Sequence, residues 1–310
     1  MKAEDFRIPT LGPATIASPI RQAEFISDHA AVAYDADPRR LAEYLRNGEE
    51  IPAFEQAGPR AKIYHDPAWS KAAILTAGGL CPGLNDVIKF LTQTLRYRYG
   101  VPLVYGIRYG YRGLNPAHKL QPLLLDENNT DDIHESGGTI LGSSRGAEDP
   151  DIMVDTLARM NINLLFCIGG DGTARGAHDI AEAAAKRGLS ISVIAVPKTI
   201  DNDIAFIDKS FGFETAVYMA GLFATGAHSE AKGAYNGIGL IKVMGRDSGF
   251  IAAYATLANT HVNYCLVPED AFSLYEGEHA LLPSLERRLR ERKHAVIIVS
   301  EGAGQHLFEE

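Results

Sequence analysis

The chain has 310 residues, of which 46% are hydrophobic and 22% charged, and its formal net charge at pH 7 is −9. This length suffices for two domains of ordinary size or for one large α/β domain, and the composition is that of a soluble globular protein. The absence of a basic face argues against a nucleic-acid partner, so an anionic substrate would need a local positive pocket.

Targeting and metal-binding signals are sparse in this sequence. The three cysteines, Cys81, Cys167 and Cys265, form no C-x-x-C pair, which argues against a disulfide framework or a zinc site and favours a cytoplasmic location. The first residues contain no apolar signal core, and no apolar run approaches membrane-spanning length, so no membrane partner is expected. The histidines show no metal-ligand spacing.

Residues 1–70 differ in character from the rest of the chain. They are rich in proline, arginine and acidic residues, and they predict an extension that wraps a neighbouring surface, with one short helix near Arg39–Arg46. From Lys71 onward, short apolar strands alternate with helices, which indicates parallel sheets covered on both faces. The predicted strands are Ala72–Thr76, Leu103–Ile107, Leu164–Ile168, Ile191–Val196, Gly237–Val243, Tyr264–Val267 and Ala295–Ser300. Helices are predicted over residues 84–97 and from Thr173 to a C-terminal glycine at Gly188.

We therefore predict an α/β protein with two Rossmann-like lobes, mostly parallel sheets, and a site in the cleft between the lobes. The predicted boundaries are 1–70 for the extension, 71–212 for the first α/β domain and 213–310 for the second. The last predicted strand ends at Ser300, ten residues before the final Glu310. A parallel unit that stops so soon after its strand is expected to be incomplete, which suggests that the sequence is truncated.

Two glycine-containing loops follow predicted strands at the sheet edge where ligands bind in open parallel sheets. Gly78–Gly83 offers free amides and a helix N-terminus to a phosphate, although a plain tight turn is an alternative. Gly169–Thr173 (GGDGT) places Asp171 among phosphate-binding amides, where Mg²⁺ would bridge the carboxylate and a phosphate. The alternative is that this aspartate caps the following helix.

The loop Pro197–Asp203 (PKTIDND) is the most informative segment. It holds Lys198, Thr199, Asp201 and Asp203 within one short turn. Two carboxylates beside a lysine and a hydroxyl suit general-base attack by a substrate alcohol. The alternative is a turn rich in aspartate and asparagine that fixes its own backbone.

Three more loops carry charged side chains. Arg246, in Met244–Gly249, would meet a phosphate or an orienting carboxylate, or would form a surface salt bridge. Arg145, in Leu141–Gly146, has the same alternatives. Glu301 follows the last predicted strand, where it would accept sugar hydroxyls.

Seven segments, taken in order, resemble the phosphofructokinase family, and in particular the long forms of plants and many bacteria. They are Ala73–Leu84, Leu141–Gly146, Gly169–Thr173, Pro197–Asp203, Ser210–Val217, Met244–Phe250 and Glu301–Gly304. Residues 57–64 are similar to the lead-in of the long forms, so the resemblance covers about residues 51–310. NAD kinases and diacylglycerol kinases share a loop like GGDGT, and the PKTIDND and MGR segments distinguish this family from them.

The resemblance implies Mg²⁺-dependent phosphoryl transfer in glycolysis, from ATP to the C1 hydroxyl of fructose 6-phosphate, by a homo-oligomeric enzyme (dimer or tetramer). The first domain would bind the nucleotide and the second the sugar phosphate. Residues implied at the nucleotide are Gly79, Tyr111, Arg145, Gly146, Gly170, Asp171, Gly172 and Thr173, and Asp171 would hold the metal. The catalytic residues would be Asp201 as base, Thr199, Lys198 and Arg246. Those at the sugar phosphate would be Thr199, Ile200, Asp201, Met244, Gly245, Arg246 and Glu301.

Two positions bear on the identity of the phosphoryl donor. Gly172 leaves open the path of a nucleotide's α-phosphate, which an aspartate blocks in pyrophosphate-using relatives. Lys198 is the residue that pyrophosphate users carry, but a lysine near phosphates is compatible with either donor. We therefore expect ATP, with pyrophosphate as the alternative.

The sequence also departs from the family. Gly237 replaces an arginine that short bacterial enzymes extend into the neighbouring subunit's sugar site, and Lys89 and Gln93 replace two effector-site arginines. The family's basic clamp on the sugar 6-phosphate is absent before Glu310. A third alternative is therefore a catalytically silent nucleotide-binding subunit.

Overall fold

The structure, a computed structural model, describes residues 1–21, 24–277 and 280–308. The extension contains only short elements, namely β1 (Ile16–Ala17), β2 (Ala31–Ala33), α1 (Pro38–Asn47), β3 (Ala53–Glu55) and β4 (Lys62–Ile63). Strand β1 pairs with β4 and β2 with β3, both antiparallel. The predicted short helix is α1. Its first turn is capped by the Asp37 carboxylate, which accepts a hydrogen bond from the Arg39 amide, and it ends at Gly48 with φ +67°.

The first lobe is built on a five-stranded sheet. Its strands are β5 (Lys71–Thr76), β6 (Leu103–Ile107), β7 (Leu123–Leu125), β8 (Leu164–Gly169) and β9 (Ser192–Pro197). Their order is β7-β6-β5-β8-β9, and only β7 is antiparallel to its neighbour. The helices of this lobe are α2 (Leu84–Gln93, continued as a π-helix over Thr94–Arg98), α3 (Glu127–Thr130), α4 (Pro150–Met160) and α5 (Asp171–Lys186).

Strand β5, at the centre of the first sheet, is covered on both faces, whereas the edge strand β9 is partly exposed. Ala73 and Leu75 point into one apolar cluster, whereas Ala72 and Ile74 point into another, and all four are fully buried. A strand buried on both faces reads as a continuous apolar run, which is why β5 was recognisable in the sequence. After α5, Gly188 adopts φ +66°, as expected for the residue that ends a helix.

The second lobe has a three-stranded, fully parallel sheet. In chain order its elements are α6 (Phe213–Gly233), β10 (Gly237–Val243), α7 (Phe250–Leu257), β11 (Tyr264–Leu266), α8 (Leu281–Arg292) and β12 (His294–Ser300). The strand order is β10-β12-β11. Phe213, Ile251 and Ile298 form the centre of its core.

Short 3₁₀-helices complete the described secondary structure, at Ala3–Phe6, Pro67–Trp69, Gly110–Leu114, Pro116–His118, Ile133–Glu135 and Gln305–Phe308. The predicted α/β fold with two mostly parallel lobes is confirmed, and the seven predicted strands are present with ends that shift by one residue at most. The domain limits at 70 and 212 stay predictions. Among the helices in the described parts of the chain, none is both long and apolar enough to cross a membrane.

Candidate active site

A cavity of about 920 Å³ lies between the two lobes, at the edge where the parallel strands end. The loops after β5, β8 and β9 face the loops after β10 and β12 across it. Fifteen of the sixteen residues predicted for the site line the cavity: Gly79, Tyr111, Arg145, Gly146, Gly170, Asp171, Gly172, Thr173, Lys198, Thr199, Ile200, Asp201, Met244, Arg246 and Glu301. Gly245 is the exception.

The loop after β9 is held rigidly by Asn202. This residue adopts φ +57°, its side-chain amide donates to the Asp208 carbonyl over 2.9 Å, and its side-chain oxygen accepts from the Ser210 amide over 2.7 Å. The Ser210 hydroxyl in turn accepts from the Thr199 amide over 2.8 Å. The sequence allowed that this loop is a turn whose aspartate and asparagine side chains fix its own backbone. Asn202 has that role in the structure.

The two aspartates of this loop have different environments. The Thr199 hydroxyl donates to Asp203 Oδ1 over 2.6 Å. In contrast, Oδ1 of Asp201 is buried and has no hydrogen-bond partner among the described residues. Burial raises the pKa of the Asp201 carboxyl above its ordinary value, and the charges of Asp203 and Glu301 add to this. Asp201 is therefore a half-buried carboxylate with a free proton-accepting atom.

Lys198 connects this loop to the loop after β5. Its ammonium donates to the Gly79 carbonyl over 2.6 Å, and its own amide donates to the Gly169 carbonyl over 2.9 Å. Burial lowers the pKa of Lys198. Nearby, burial raises the pKa of the Cys81 thiol to about 11, and this thiol donates to the Phe211 carbonyl over 2.9 Å. Cys81 is thus a packed residue rather than an activated thiol.

The GGDGT loop joins β8 to α5 by a very close approach. A side chain at Gly169 would meet Thr173 Oγ1 at 2.1 Å, so only glycine fits there. Gly170 takes the N-cap position and makes no side-chain cap, and Asp171 is the first helical residue, with an exposed side chain. Asp171 therefore does not cap α5. A Cβ at Gly172 would meet nothing within 4 Å.

On the side of the first lobe, the cavity is closed by Tyr111 and by the loop around Arg145. The Tyr111 hydroxyl donates to the Thr173 carbonyl over 2.6 Å, and its ring leaves room for only a glycine at position 176, where a Cβ would lie 2.7 Å from it. The Ser143 hydroxyl donates to the Gly78 carbonyl over 2.6 Å, which brings Arg145 and Gly146 to the loop after β5. Arg145 itself is exposed.

Gly245 supports the side of the cavity formed by the second lobe, without lining it. It has φ +122°, and a Cβ there would lie 2.2 Å from the Ser248 carbonyl oxygen. Its own carbonyl accepts from the Gly302 amide over 3.1 Å, next to Glu301. Arg246, whose side chain is 82% exposed, lines the cavity, and its Nε lies 3.5 Å from an Asp247 oxygen.

Sequence reasoning missed the residues that brace the site. The Ser248 hydroxyl donates to the Asp201 carbonyl over 2.8 Å. This bond joins the second lobe to the loop Pro197–Asp203, which we call the base loop. Both serines lie in segments that resemble the family, but no role was predicted for either one, because each bonds a partner outside its own segment.

The structure also shows the surroundings of two positions, Gly237 and Lys89, at which the sequence departs from the family. Gly237 opens β10, where a Cβ would lie 2.2 Å from the Ala231 carbonyl oxygen, so no side chain fits this backbone. Lys89 is engaged within the chain: its ammonium lies 3.2 Å from His134 Nδ1 and 3.7 Å from Asp131.

The described residues provide no group of three or more His, Cys, Asp or Glu side chains able to hold a metal ion. Mg²⁺ does not need such a group, because it commonly binds one or two carboxylates together with substrate phosphates and water. The exposed Asp171 at the mouth of the glycine loop fits that mode of binding.

Comparisons with known proteins agree with this arrangement. The chain is 48% identical to an ATP-dependent 6-phosphofructokinase of Borreliella burgdorferi, over 98% of this chain and 70% of that protein. It is 47% identical to ATP-dependent 6-phosphofructokinase 7 of Arabidopsis thaliana, over 89% of this chain and 56% of that protein. A solved pyrophosphate-dependent phosphofructokinase from Marinobacter aquaeolei superposes with a TM-score of 0.63 at 26% identity, over 76% of this chain and 61% of that one.

The fold and the cavity define an α/β protein in which a glycine-rich loop and a carboxylate-bearing loop of the first lobe face the loops of the second lobe across a cleft. The sequence profile of the phosphofructokinase family matches residues 71–309, and the chain belongs to this family. It spans only part of the length of the relatives named above.

Proposed function

We propose that this protein is an ATP-dependent 6-phosphofructokinase, which transfers the γ-phosphoryl group of ATP to the C1 hydroxyl of fructose 6-phosphate. The observation that carries the proposal is the buried, unpartnered oxygen of Asp201, which lies in one cavity with the GGDGT loop. The names of the similar bacterial and plant proteins agree with it.

Asp201 serves as the general base in this proposal. Its free Oδ1 takes the proton of the C1 hydroxyl as the oxygen attacks the γ-phosphorus, and ADP leaves from the opposite side. The raised pKa of Asp201 makes the carboxylate a stronger base than an exposed aspartate. Thr199 holds the neighbouring Asp203 and keeps it from competing for that proton.

The nucleotide binds along the glycine loops, with its phosphates on the amides at the start of α5. Asp171 holds Mg²⁺, which neutralises phosphate charge when bound. Lys198, fixed between the two loops by Gly79, keeps the donor and acceptor sides at a constant separation. Positioning of this kind supplies most of the catalysis in phosphoryl transfer.

The sugar phosphate binds on the second lobe. Arg246 and Glu301 reach the cavity, Met244 lines it, and Gly245 shapes the backbone that carries them. Ile200 packs against the cores of both lobes and keeps the base loop at their boundary. The homo-oligomeric state, the cytoplasmic location and the place in glycolysis are part of the same proposal.

Pyrophosphate is the second candidate donor. It is favoured by Lys198 and by the likeness to the Marinobacter aquaeolei enzyme. We rank ATP higher because the open space at Gly172 leaves room for an α-phosphate, whereas a lysine such as Lys198 is compatible with either donor.

A coupled assay on the protein from its complete reading frame tests the proposal. Fructose 1,6-bisphosphate should form with Mg²⁺ and ATP and should form more slowly with Mg²⁺ and pyrophosphate. Faster turnover with pyrophosphate would identify a pyrophosphate-dependent enzyme. Nucleotide binding without turnover of either donor would identify a silent subunit.

A further inference from the structure

Four aromatic rings, from segments far apart in the sequence, meet beside the base loop. Phe6, Tyr34 and Phe54 belong to the extension, and Phe206 lies three residues after Asp203. The ring centroid of Phe206 lies 5.4 Å from that of Tyr34, 5.8 Å from that of Phe54 and 6.2 Å from that of Phe6. We call these four residues the ring cluster. Such separations are those of favourable tilted and edge-to-face contacts.

The backbone of Phe206 needs an explanation. The Ile207 amide donates to the Ile204 carbonyl over 3.3 Å, which closes a turn with Phe206 as its third residue. Phe206 has φ +67°, a value that this turn position normally gives to glycine. A bulky residue there is strained unless other contacts hold it, and the ring cluster supplies such contacts.

The turn at Phe206 is continuous with the base loop. Ile204 lines the same cavity as Asp201, and Asn202 is tied to Asp208 and Ser210 on the far side of the turn. Residues 202–210 therefore form one closed loop. This closed loop contains both Asp203 and Phe206, and it begins one residue after Asp201.

The extension side of the ring cluster is itself well anchored. Phe54 lies in β3 opposite Val32 of β2, and the Tyr34 amide continues this pairing to the Pro52 carbonyl over 2.9 Å. An ion pair of 2.9 Å joins Arg7, next to Phe6, to Glu50. The rings thus project from a small folded unit rather than from a free tail.

Two further contacts attach the extension to the beginning of β9, the strand that leads into the base loop. His65 Nε2 lies 3.0 Å from Ser192 Oγ, and the Tyr64 hydroxyl lies 3.3 Å from Ser190 Oγ. Ser192 begins β9, the strand that leads directly to Lys198. The extension therefore contacts the unit of β9 and its loop both before and after the reactive residues.

We propose that Phe6, Tyr34 and Phe54 are positioning residues, which hold the Asp201 loop in its reactive geometry through Phe206. The proposal rests on the proposed function for its kinetic consequence. It assigns to the extension a direct part in the chemistry of its own chain, in addition to any stability that it contributes.

The kinetic test uses the complete protein with Phe54→Ala and Phe206→Ala. Each should lower kcat by about 10-fold, because small misplacements of a reacting group are expensive in rate, while the KM for ATP stays within about twofold. The double variant should lose little more than either single variant, because both remove the same contact. Phe54→Leu, which keeps apolar volume at this half-exposed position, should recover part of kcat and serves if Phe54→Ala folds poorly.

Phe206→Gly separates positioning from relief of strain. Glycine adopts the positive φ freely, so the loop loses its strain but also its ring. If the ring cluster positions the loop, Phe206→Gly lowers kcat as Phe206→Ala does. Normal kcat in Phe206→Gly would mean that the rings only compensate for strain, and it would overturn the proposal.

Hydrogen exchange gives a measurement that does not depend on activity. In Phe54→Ala the amides of residues 199–208 should exchange faster, while those of β5 and β8 stay protected. The matched control is Trp69→Ala, which removes a ring from the same extension at an 86% exposed site outside the ring cluster. Unchanged exchange in 199–208, or a uniform rise across the chain, would overturn the proposal even if the wild-type protein proved inactive in the assay.

Discussion

The Thr199 hydroxyl donates its hydrogen to Asp203 and not to Asp201, although both carboxylates belong to the same short loop. Asp203 is therefore the carboxylate bonded to Thr199, whereas Oδ1 of Asp201 has no hydrogen-bond partner among the described residues, and the charge of Asp203 adds to the burial that raises the pKa of Asp201. Two neighbouring carboxylates in unequal environments commonly divide the roles of orienting group and proton acceptor.

Asp203→Asn should shift the acid limb of the kcat profile to lower pH. Asp201 must be ionised to accept a proton, so kcat falls as the pH drops through its raised pKa. Removing the Asp203 charge lowers that pKa, while an asparagine oxygen can still accept from Thr199. Asp208→Asn, an exposed substitution of equal charge in the same loop, should leave the limb in place. A limb that stays fixed in Asp203→Asn would show that Asp203 does not raise the pKa of the catalytic base.

Asp201→Asn should lower kcat by roughly 10²–10⁴-fold, the range typical for loss of a general base, with little change in sugar-phosphate affinity. The same variant should unfold at a higher temperature near pH 7. Because the pKa of Asp201 is raised in the folded state, its charged form opposes folding, and this penalty disappears with the charge.

The stability gain of Asp201→Asn should shrink as the pH is lowered toward the ordinary pKa of an aspartate. Below that value the wild-type carboxyl is protonated in both the folded and the unfolded state. No charge is then buried on folding, so the wild-type protein no longer pays the penalty that the variant avoids. Near-normal turnover would remove Asp201 from the role of base. A lower melting temperature at pH 7 would instead contradict the unfavourable burial of its charge.

Asp171→Ala should weaken the binding of Mg²⁺-ATP more than that of the sugar phosphate. Its exposed carboxylate does not cap α5, so thermal stability should change little. Glu182→Ala, from the same helix but outside the residues that line the cavity, is the control of equal charge. Calorimetry that showed unchanged Mg²⁺-ATP affinity in Asp171→Ala would argue against metal binding by this residue.

Gly172→Asp should abolish the use of ATP, because a carboxylate placed in the open space at this position repels the α-phosphate. Gly172→Ala is the matched control. Its Cβ meets no neighbour, and alanine in a helix stabilises relative to glycine by about 0.5–1 kcal/mol, so this variant should fold at least as well and still use ATP. Retained ATP turnover in Gly172→Asp would mean that this position does not select the donor.

The loops of the site could be predicted because each one follows a parallel strand whose sequence is mostly apolar. Such strands are continuous apolar runs, and the glycines at Gly169 and Gly78 interrupt them sharply. Strand β7 was not predicted, since three leucines behind a proline carry no period that separates a strand from a helix.

The supports of the site could not be predicted in the same way. Ser248 meets the carbonyl of Asp201 across the lobes, and this pairing leaves no trace in local sequence. Gly245 was expected at the sugar phosphate, but its positive φ serves the backbone that presents Arg246 and Glu301. The MGR segment therefore led to the cavity, which Met244 and Arg246 line, but it did not show that Gly245 supports the backbone without lining the cavity.

The meeting of Phe54 with Phe206 also imposes an order of events during synthesis. The chain leaves the ribosome from its N-terminus at about 5–20 residues per second, and Phe206 is made about 150 residues after Phe54. The three rings of the extension thus wait on the order of 10–30 s for their partner, exposed to solvent and to chaperones. The newest part of the nascent chain, and not the oldest, completes the folding of the extension.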